Sequence, residues 1–540
     1  MSSEPRAFAA IDRGTATTAV SLIGRVDARW RLLGATAGPS SVPPEALLER
    51  VRGRLAASDT DLASAVSLAS PGSTDDLPRV ACATAAPPEM AVVGATRRAL
   101  TPLVAAATAA GWRVRPLTLD GAEILAVAGA LADPLVTAVL AGSGEPPGGD
   151  ERPLIPDLVA IVAAAVQRRP EMVVVLAGGL AEPGGRMEAA LPPDRPGATL
   201  TAPSPAKGGG TALRLLLEEL RGDASDGRRA LVAATTTLAE VLGRRVEVVE
   251  IGQSAGARVA AAPSTAEGRH HGEAAAHGAI VAEAALLPRG FGDAHLDAII
   301  GWLSVPLDRL RVRDRLRELA LAPWGDAAGD GALLRLAAAR AAVGRLLAAT
   351  PTMDALPPPA LVIVAGGAWN VAPPAAVALA AVDVIRRPGV RALGLDHARL
   401  LAPLGTIPDP AERRLIIDDL RDELVLPLGS VVMPAGLRTG RPAGKLALRS
   451  GSGERLLDLV AGNLDLLALP AGEVAIADLR FRDAVDLGPR VRHAAVQVTG
   501  GLVGLLVDLR DVPLRLPDRL EMRREAMAAW EGRVWAGSEA

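Results

Sequence analysis

The segment Phe8-Ala-Ala-Ile-Asp-Arg-Gly-Thr-Ala-Thr-Thr-Ala-Val20 constrains the fold more than any other stretch of the chain. A short apolar run ends in Asp12, Gly14 follows two residues later, and Thr15, Thr17 and Thr18 crowd the next positions. The pattern predicts a strand, a tight turn and a returning strand. A glycine in the turn lets backbone N–H groups approach an anion, the hydroxyls add donors, and an aspartate at the strand end suits the metal side of a bound phosphate. The same residues also describe a buried strand with a threonine-rich hairpin, so the rest of the chain must discriminate between the two.

With 540 residues the chain has room for roughly three or four domains of about 150 residues. It contains no Tyr, three Phe and seven Trp, so its cores must be filled by Ala, Leu and Val. The net charge is −3 with both signs interspersed, and no basic stripe or aromatic-basic platform is evident, which argues against nucleic acid as a partner. Cys82 is the single cysteine; this excludes an internal disulfide and a multi-cysteine zinc site and fits a reducing cytosol. The first residues lack the apolar core of a signal peptide. The windows 154–166 and 274–287 fall short of the roughly 18–20 apolar residues of a membrane span. A soluble cytoplasmic protein that touches no membrane is expected.

Alternating patterns predict an α/β chain. Strands are expected at Phe8–Ile11, Thr17–Ile23, Trp30–Ala35, Leu62–Ala69, Val80–Thr84 and Val114–Leu119. Helices are expected at Pro43–Ala57, where Leu47, Leu48, Val51 and Leu55 share a face, and at Thr96–Gly111. Gly142–Pro156 and Leu191–Gly210 read as loops or connectors, the second ending Pro-Ala-Lys-Gly-Gly-Gly without the order of a P-loop. Val173-Val-Val-Leu-Ala-Gly-Gly179 is echoed by Leu361-Val-Ile-Val-Ala-Gly-Gly367, each a buried β-run delivered into a glycine pair. From about residue 422 short β-runs separated by Gly- and Pro-bearing turns predict a small barrel or sandwich, followed by a charged helix over Leu520–Val534.

Asp12-x-Gly-Thr-x-Thr-Thr18 resembles the first phosphate motif of the actin-like ATPase superfamily. More specifically, Ala81-Cys-Ala-Thr-Ala-Ala-Pro-Pro-Glu-Met-Ala-Val-Val-Gly94 with Ala110-Gly-Trp-Arg-Val114, the Ala177–Gly179 strand end, Gly366 and Gly367, and the closing Gly500–Pro517 segment are similar to the glutamate mutase L family of actin-like ATPases. That resemblance implies a two-lobed actin-like (ribonuclease H-like) α/β fold with a C-terminal all-β domain. The expected divisions are 1–240 for the first lobe, 241–421 for the second, 422–519 for the β-rich domain and 520–540 for the tail. It implies ATP or ADP with Mg2+ as cofactor and an adenosylcobalamin-dependent mutase as partner, which the protein would reactivate or help assemble. Asp12 would hold magnesium through water and serve catalysis with Glu250. Gly14, Thr15, Thr17 and Thr18 would bind phosphates, Gly252 and Ser254 would face them, and Gly366 and Gly367 would approach the adenosine.

The chain departs from the family at its second phosphate motif, Asp-x-Gly-Gly-Ala-Thr-Thr-Asp. The matching stretch is Val248-Val-Glu-Ile-Gly-Gln-Ser-Ala-Gly-Ala-Arg258: Glu250 replaces the leading Asp, Ser254 is the only hydroxyl, and Ala257 replaces the closing Asp. Ala19 stands where the first motif usually carries Lys, and Pro87-Pro88-Glu89 replaces a Gly-Gly pair. With these donors lost, a transferring phosphoryl group would be poorly stabilised, so weak or absent ATP hydrolysis is expected. The alternatives are a non-catalytic interaction scaffold with a decayed nucleotide site and a small-molecule kinase of the same superfamily.

Other candidates carry less. His270, His271, Glu273 and His277 form the only histidine cluster, but their spacing does not bring four ligands to one helix face. Cys82 has no adjacent base and reads as a structural thiol. Asp120 and Glu123 suit a helix N-terminus as well as a carboxylate pair. Trp369 and Asn370 follow the second glycine pair, where they would touch a base or simply pack.

Overall fold

The computed structural model describes residues 7–58, 77–84, 88–120, 124–133, 136–205, 208–221, 225–264, 275–288, 292–322, 330–370 and 372–538. The expected strand at 62–69 and residues His270, His271, Glu273, Glu123 and Lys207 lie outside them. The chain forms two compact units, Met1–Ala86 with Ser225–Ala540, and Pro87–Ala224.

The first unit opens with β1 (Ala7–Arg13), β2 (Thr17–Val26) and β3 (Arg29–Pro39), an antiparallel meander to which β4 (Arg79–Ala83) adds in parallel beside β1. β1 is buried on both faces, which its small residues permit: Ala7, Ala9 and Ile11 pack under the helix Pro44–Ser58 through Leu47, Leu48, Val51 and Leu55, while Phe8 and Ala10 enter the core on the other side. The chain then builds the second unit from β5 (Glu89–Gly94), β6 (Arg113–Thr118), β7 (Val136–Ser143), β8 (Val173–Gly178) and β9 (Thr199–Ala202). These form one all-parallel sheet in the order β6-β5-β7-β8-β9, a doubly wound arrangement with helices between the strands. The Pro- and Gly-rich stretch 191–210, expected to be a connector, supplies the edge strand β9.

On return, β10 (Ser225–Asp226) completes the first sheet in the order β10-β4-β1-β2-β3. The next five strands are β11 (Val246–Ile251), β12 (Gly256–Ala262), β13 (Ala275–Val281), β14 (Leu361–Ala365) and β15 (Gly389–Leu395). They repeat that order as β13-β12-β11-β14-β15, with the same antiparallel and parallel senses. The structural repetition does not follow the sequence echo. The counterpart of β14 is β4, whereas Val173–Gly178 belongs to the second unit and to a different strand order. Two apolar strands ending in glycine pairs look alike because both are buried parallel strands, not because they occupy equivalent places. The helices Gly227–Leu242 and Leu401–Leu404 lie in one core with both sheets.

The strands after residue 425 do not close into a separate barrel. β16 (Leu426–Met433), β19 (Leu464–Leu467) and β22 (Gly504–Asp508) extend the second sheet to eight strands in the order β13-β12-β11-β14-β15-β16-β22-β19. β17 (Pro442–Ser450), β18 (Gly453–Val460), β20 (Val474–Asp486) and β21 (Arg490–Thr499) form a four-stranded antiparallel sheet. The two sheets share a core through Val432, Leu505 and Val507 against Leu446, Leu479 and Phe481. The open edge of β15 supplies unpaired backbone groups that β16 satisfies, so the sheet grows rather than ending there.

A buried ion network fastens the end of β22 to the helices Asp330–Ala349 and Pro374–Val384. Arg510 donates to Asp508 at 2.8 Å and to Asp383 at 2.8 Å, Arg340 donates to Asp383 at 2.7 Å, and Arg386 donates to Asp508 at 2.7 Å. The Arg510 guanidinium also lies 4.5 Å from the Trp530 ring of the C-terminal helix Leu520–Ser538. Truncating Asp383 leaves Arg340 buried without its carboxylate and takes from Arg510 one of its two, so Asp383→Ala is expected to cost about 3–5 kcal/mol of stability in urea unfolding.

Candidate functional site

The ends of β1 and β11 occupy equivalent places in the repeated sheets. Asp12 pairs in register with Ala19 on β2 and Cys82 on β4; Glu250 pairs with Ala257 on β12 and Ala365 on β14. Each carboxylate therefore sits just before a hairpin, residues 14–16 after β1 and 252–255 after β11. The two hairpins meet: Thr15 Oγ1 and Ser254 Oγ are 2.5 Å apart although 239 residues separate them. Gly14, Thr15, Thr17, Glu250, Gly252, Ser254 and Gly367 line one cavity with Thr84, Arg335 and Arg399. Thr18 does not face it; it is buried on β2 opposite Arg13. Gly366 shapes the wall rather than lining it. Its φ of +94° and the 2.4 Å between a Cβ placed there and Ile251 O leave no room for a side chain.

The group that organises the cleft is one that the sequence reading missed. Arg399 reaches Asp12 Oδ2 with Nε at 2.6 Å and Nη2 at 2.5 Å, and also donates to the Thr17 hydroxyl. Its backbone has φ +56°, a left-handed conformation uncommon for a residue with a long side chain. The other Asp12 oxygen, Oδ1, accepts from Thr84 Oγ1 at 2.6 Å and lies 3.8 Å from Cys82 Sγ. Asp396 accepts from the N–H groups of Leu400 and Leu401 at 2.9 and 3.1 Å, fixing the turn that carries Arg399.

Both Asp12 oxygens are thus already engaged by protein donors, one of them a cation. Among the described residues no three His, Cys, Asp or Glu side chains converge as a metal site. This donor set does not fit the magnesium that the family resemblance implies, because a guanidinium stands where the ion's charge would be needed. The space left is about 30 Å3, enough for roughly two waters. Burial, the Asp12 carboxylate and, to a lesser extent, Asp396 push Glu250 up to about 8, with Arg399 acting in the opposite direction. Burial also raises Asp396 to about 6 and Cys82 well above the usual thiol range. Burial and the neighbouring Asp12 carboxylate thus favour the protonated form of Glu250 in the fold.

The remaining sequence candidates do not gather at the cleft. His277 lies on β13, paired with Ala260. Trp369 is fully buried in the core, and Asn370 donates to His397 O at 3.0 Å. Among the described residues no helix is long and apolar enough to cross a membrane.

No family model matches the chain, and no curated protein matches it. Among solved structures it is similar to nucleotide-free acetone carboxylase, from work on ATP-dependent acetone carboxylation. The identity there is 12%, over 74% of this chain and 69% of that one, with a TM-score of 0.31. It is also similar to an exopolyphosphatase from Cytophaga hutchinsonii, 7% identical over 66% of each chain with a TM-score of 0.17. A Ppx/GppA family member from Aquifex aeolicus is 8% identical over 78% of this chain and 92% of that one, with a TM-score of 0.18. Scores this low leave the site to be judged on its own geometry.

Because Glu250 binds its proton more tightly in the fold than in the unfolded chain, its stabilising contribution is complete below about pH 4.5 and is lost as the pH rises through 8. Urea midpoints should therefore fall between pH 6 and 8, and Glu250→Gln should flatten that slope. An unchanged slope would show that Glu250 titrates normally.

Proposed function

We propose that the chain is a two-lobed actin-like, ribonuclease H-like protein in which magnesium-dependent hydrolysis has been exchanged for an internal guanidinium latch. The repeated strand order supports the two-lobed reading, and the Asp12–Arg399 ion pair supports the latch. Asp12 stands on the first repeat and Arg399 on the turn after the last strand of the second, so the pair spans the cleft. An entering phosphate is itself a partner for Arg399. Nucleotide phosphates would compete with Asp12 for the guanidinium, and that competition would couple binding to parting of the lobes. With the Thr pair and closing Asp of the second motif replaced by Ala255, Gly256 and Ala257, transition-state charge finds few donors and hydrolysis is weak or lost. The resemblance to the glutamate mutase L family makes a cobalamin-dependent mutase the proposed partner, with lobe parting altering the surface that the partner meets.

A second reading, a scaffold that binds no nucleotide, is favoured by the small volume of the cleft, about 30 Å3. Calorimetric titration separates the two. A latched cleft predicts ATP binding that is no more than about twofold tighter with magnesium than with chelator, lost in Arg399→Gln, and without phosphate release above background. Binding that requires magnesium, with turnover, would restore an ordinary ATPase. No binding at millimolar nucleotide in either condition would leave the scaffold.

A further inference from the structure

A cluster of exposed arginines lies away from the cleft, on the four-stranded sheet. A concave pocket of about 480 Å3 is lined by Arg438 and Arg441 from the turn before β17, Arg482 from β20, and Arg490 and Arg492 from β21. All five arginines are exposed, and none pairs with a described carboxylate, although Asp483 shares the pocket wall. Neighbours on the same sheet behave differently: Arg480 lies 3.3 Å from Asp478, and Arg449 lies 2.8 Å from Glu454. Five like charges brought together repel one another, so such a cluster disfavours the fold unless an anion joins it. The sequence hides the cluster because its members come from three stretches of a chain with net charge −3.

From this arrangement we infer that the pocket binds a small, multiply charged phosphorylated ligand. Guanidinium groups fork onto phosphoryl oxygens with two donors each, and several converging forks select for more than one phosphoryl group. The volume falls within the range of small-molecule sites. No aromatic ring lines the pocket, so stacking of single-stranded bases is not provided for. A concavity also suits a compact anion better than the broad face of a duplex.

Inorganic tripolyphosphate is the probe, titrated calorimetrically into the full chain at fixed ionic strength, with sulfate and a twelve-nucleotide oligothymidylate as comparisons. The inference predicts saturable tripolyphosphate binding, tighter than sulfate and tighter than the oligonucleotide. Arg482→Gln with Arg490→Gln should weaken it at least about tenfold while leaving the circular dichroism spectrum unchanged and the melting temperature of the free protein no lower. Arg50→Gln with Arg54→Gln removes the same charge from an exposed helix face and should leave affinity within about twofold. Equal losses in both double variants would mean a diffuse charge effect and overturn the site. Binding unaffected by Arg482→Gln with Arg490→Gln would assign it elsewhere, the cleft included, and also overturn it. Absence of binding at millimolar tripolyphosphate, or tighter binding of the oligonucleotide, would do the same.

Discussion

The buried ion pair between Asp12 and Arg399 is the interaction on which the functional half of this molecule depends. It joins two residues 387 positions apart, one on each repeat of the strand pattern. Both groups are almost fully removed from water, Asp12 at 3% and Arg399 at 7% exposure. Two such charges are tolerated only because each has the other and further hydrogen bonds besides, from Thr84 to the carboxylate and from Arg399 to Thr17. The left-handed backbone at Arg399 and the carboxylate cap supplied by Asp396 deliver the guanidinium to that place. Across the cleft, burial and the Asp12 carboxylate push Glu250 up, and Arg399 opposes them.

The architecture explains why this contact forms at all. Two sheets with the same order and senses present their first strands as equivalents, so Asp12 and Glu250 arrive at the same height, each before a hairpin. A shared core holds the sheets in one unit: Ala10, Ala230, Val248 and Ile363 belong to it, with Phe8 and Trp30 as its aromatic members. In a chain almost without Phe and Tyr, close approach of backbones replaces bulky filling. Glycine is demanded only where that approach is tightest, as at Gly366 beneath Ile251.

Much of this was legible in the sequence. The β1–β2 hairpin, the helix with Leu47, Leu48, Val51 and Leu55 on one face, and the helix capped by Thr96 follow from period and capping chemistry that act locally. Seven of the ten residues expected at the site line one cavity, and Asp12 bounds it through Arg399. Other features could not be read locally. Whether β16 and β22 close on themselves or extend another sheet depends on which edge is free in space, and their alternation is the same in both cases. The Val173 and Leu361 runs share letters because burial dictates them, not position. Arg399 stood in full view within Leu395-Asp-His-Ala-Arg-Leu-Leu401, yet only its backbone angle and its distant partner mark it.

A double-mutant cycle in stability tests the latch most directly. Asp12→Asn and Arg399→Gln each strand a buried charge, so each is expected to cost about 3–5 kcal/mol in urea unfolding. The double variant strands neither, and its loss should fall short of the sum by about 2 kcal/mol or more. Additive losses would mean that the two groups do not sense each other, and would contradict the latch.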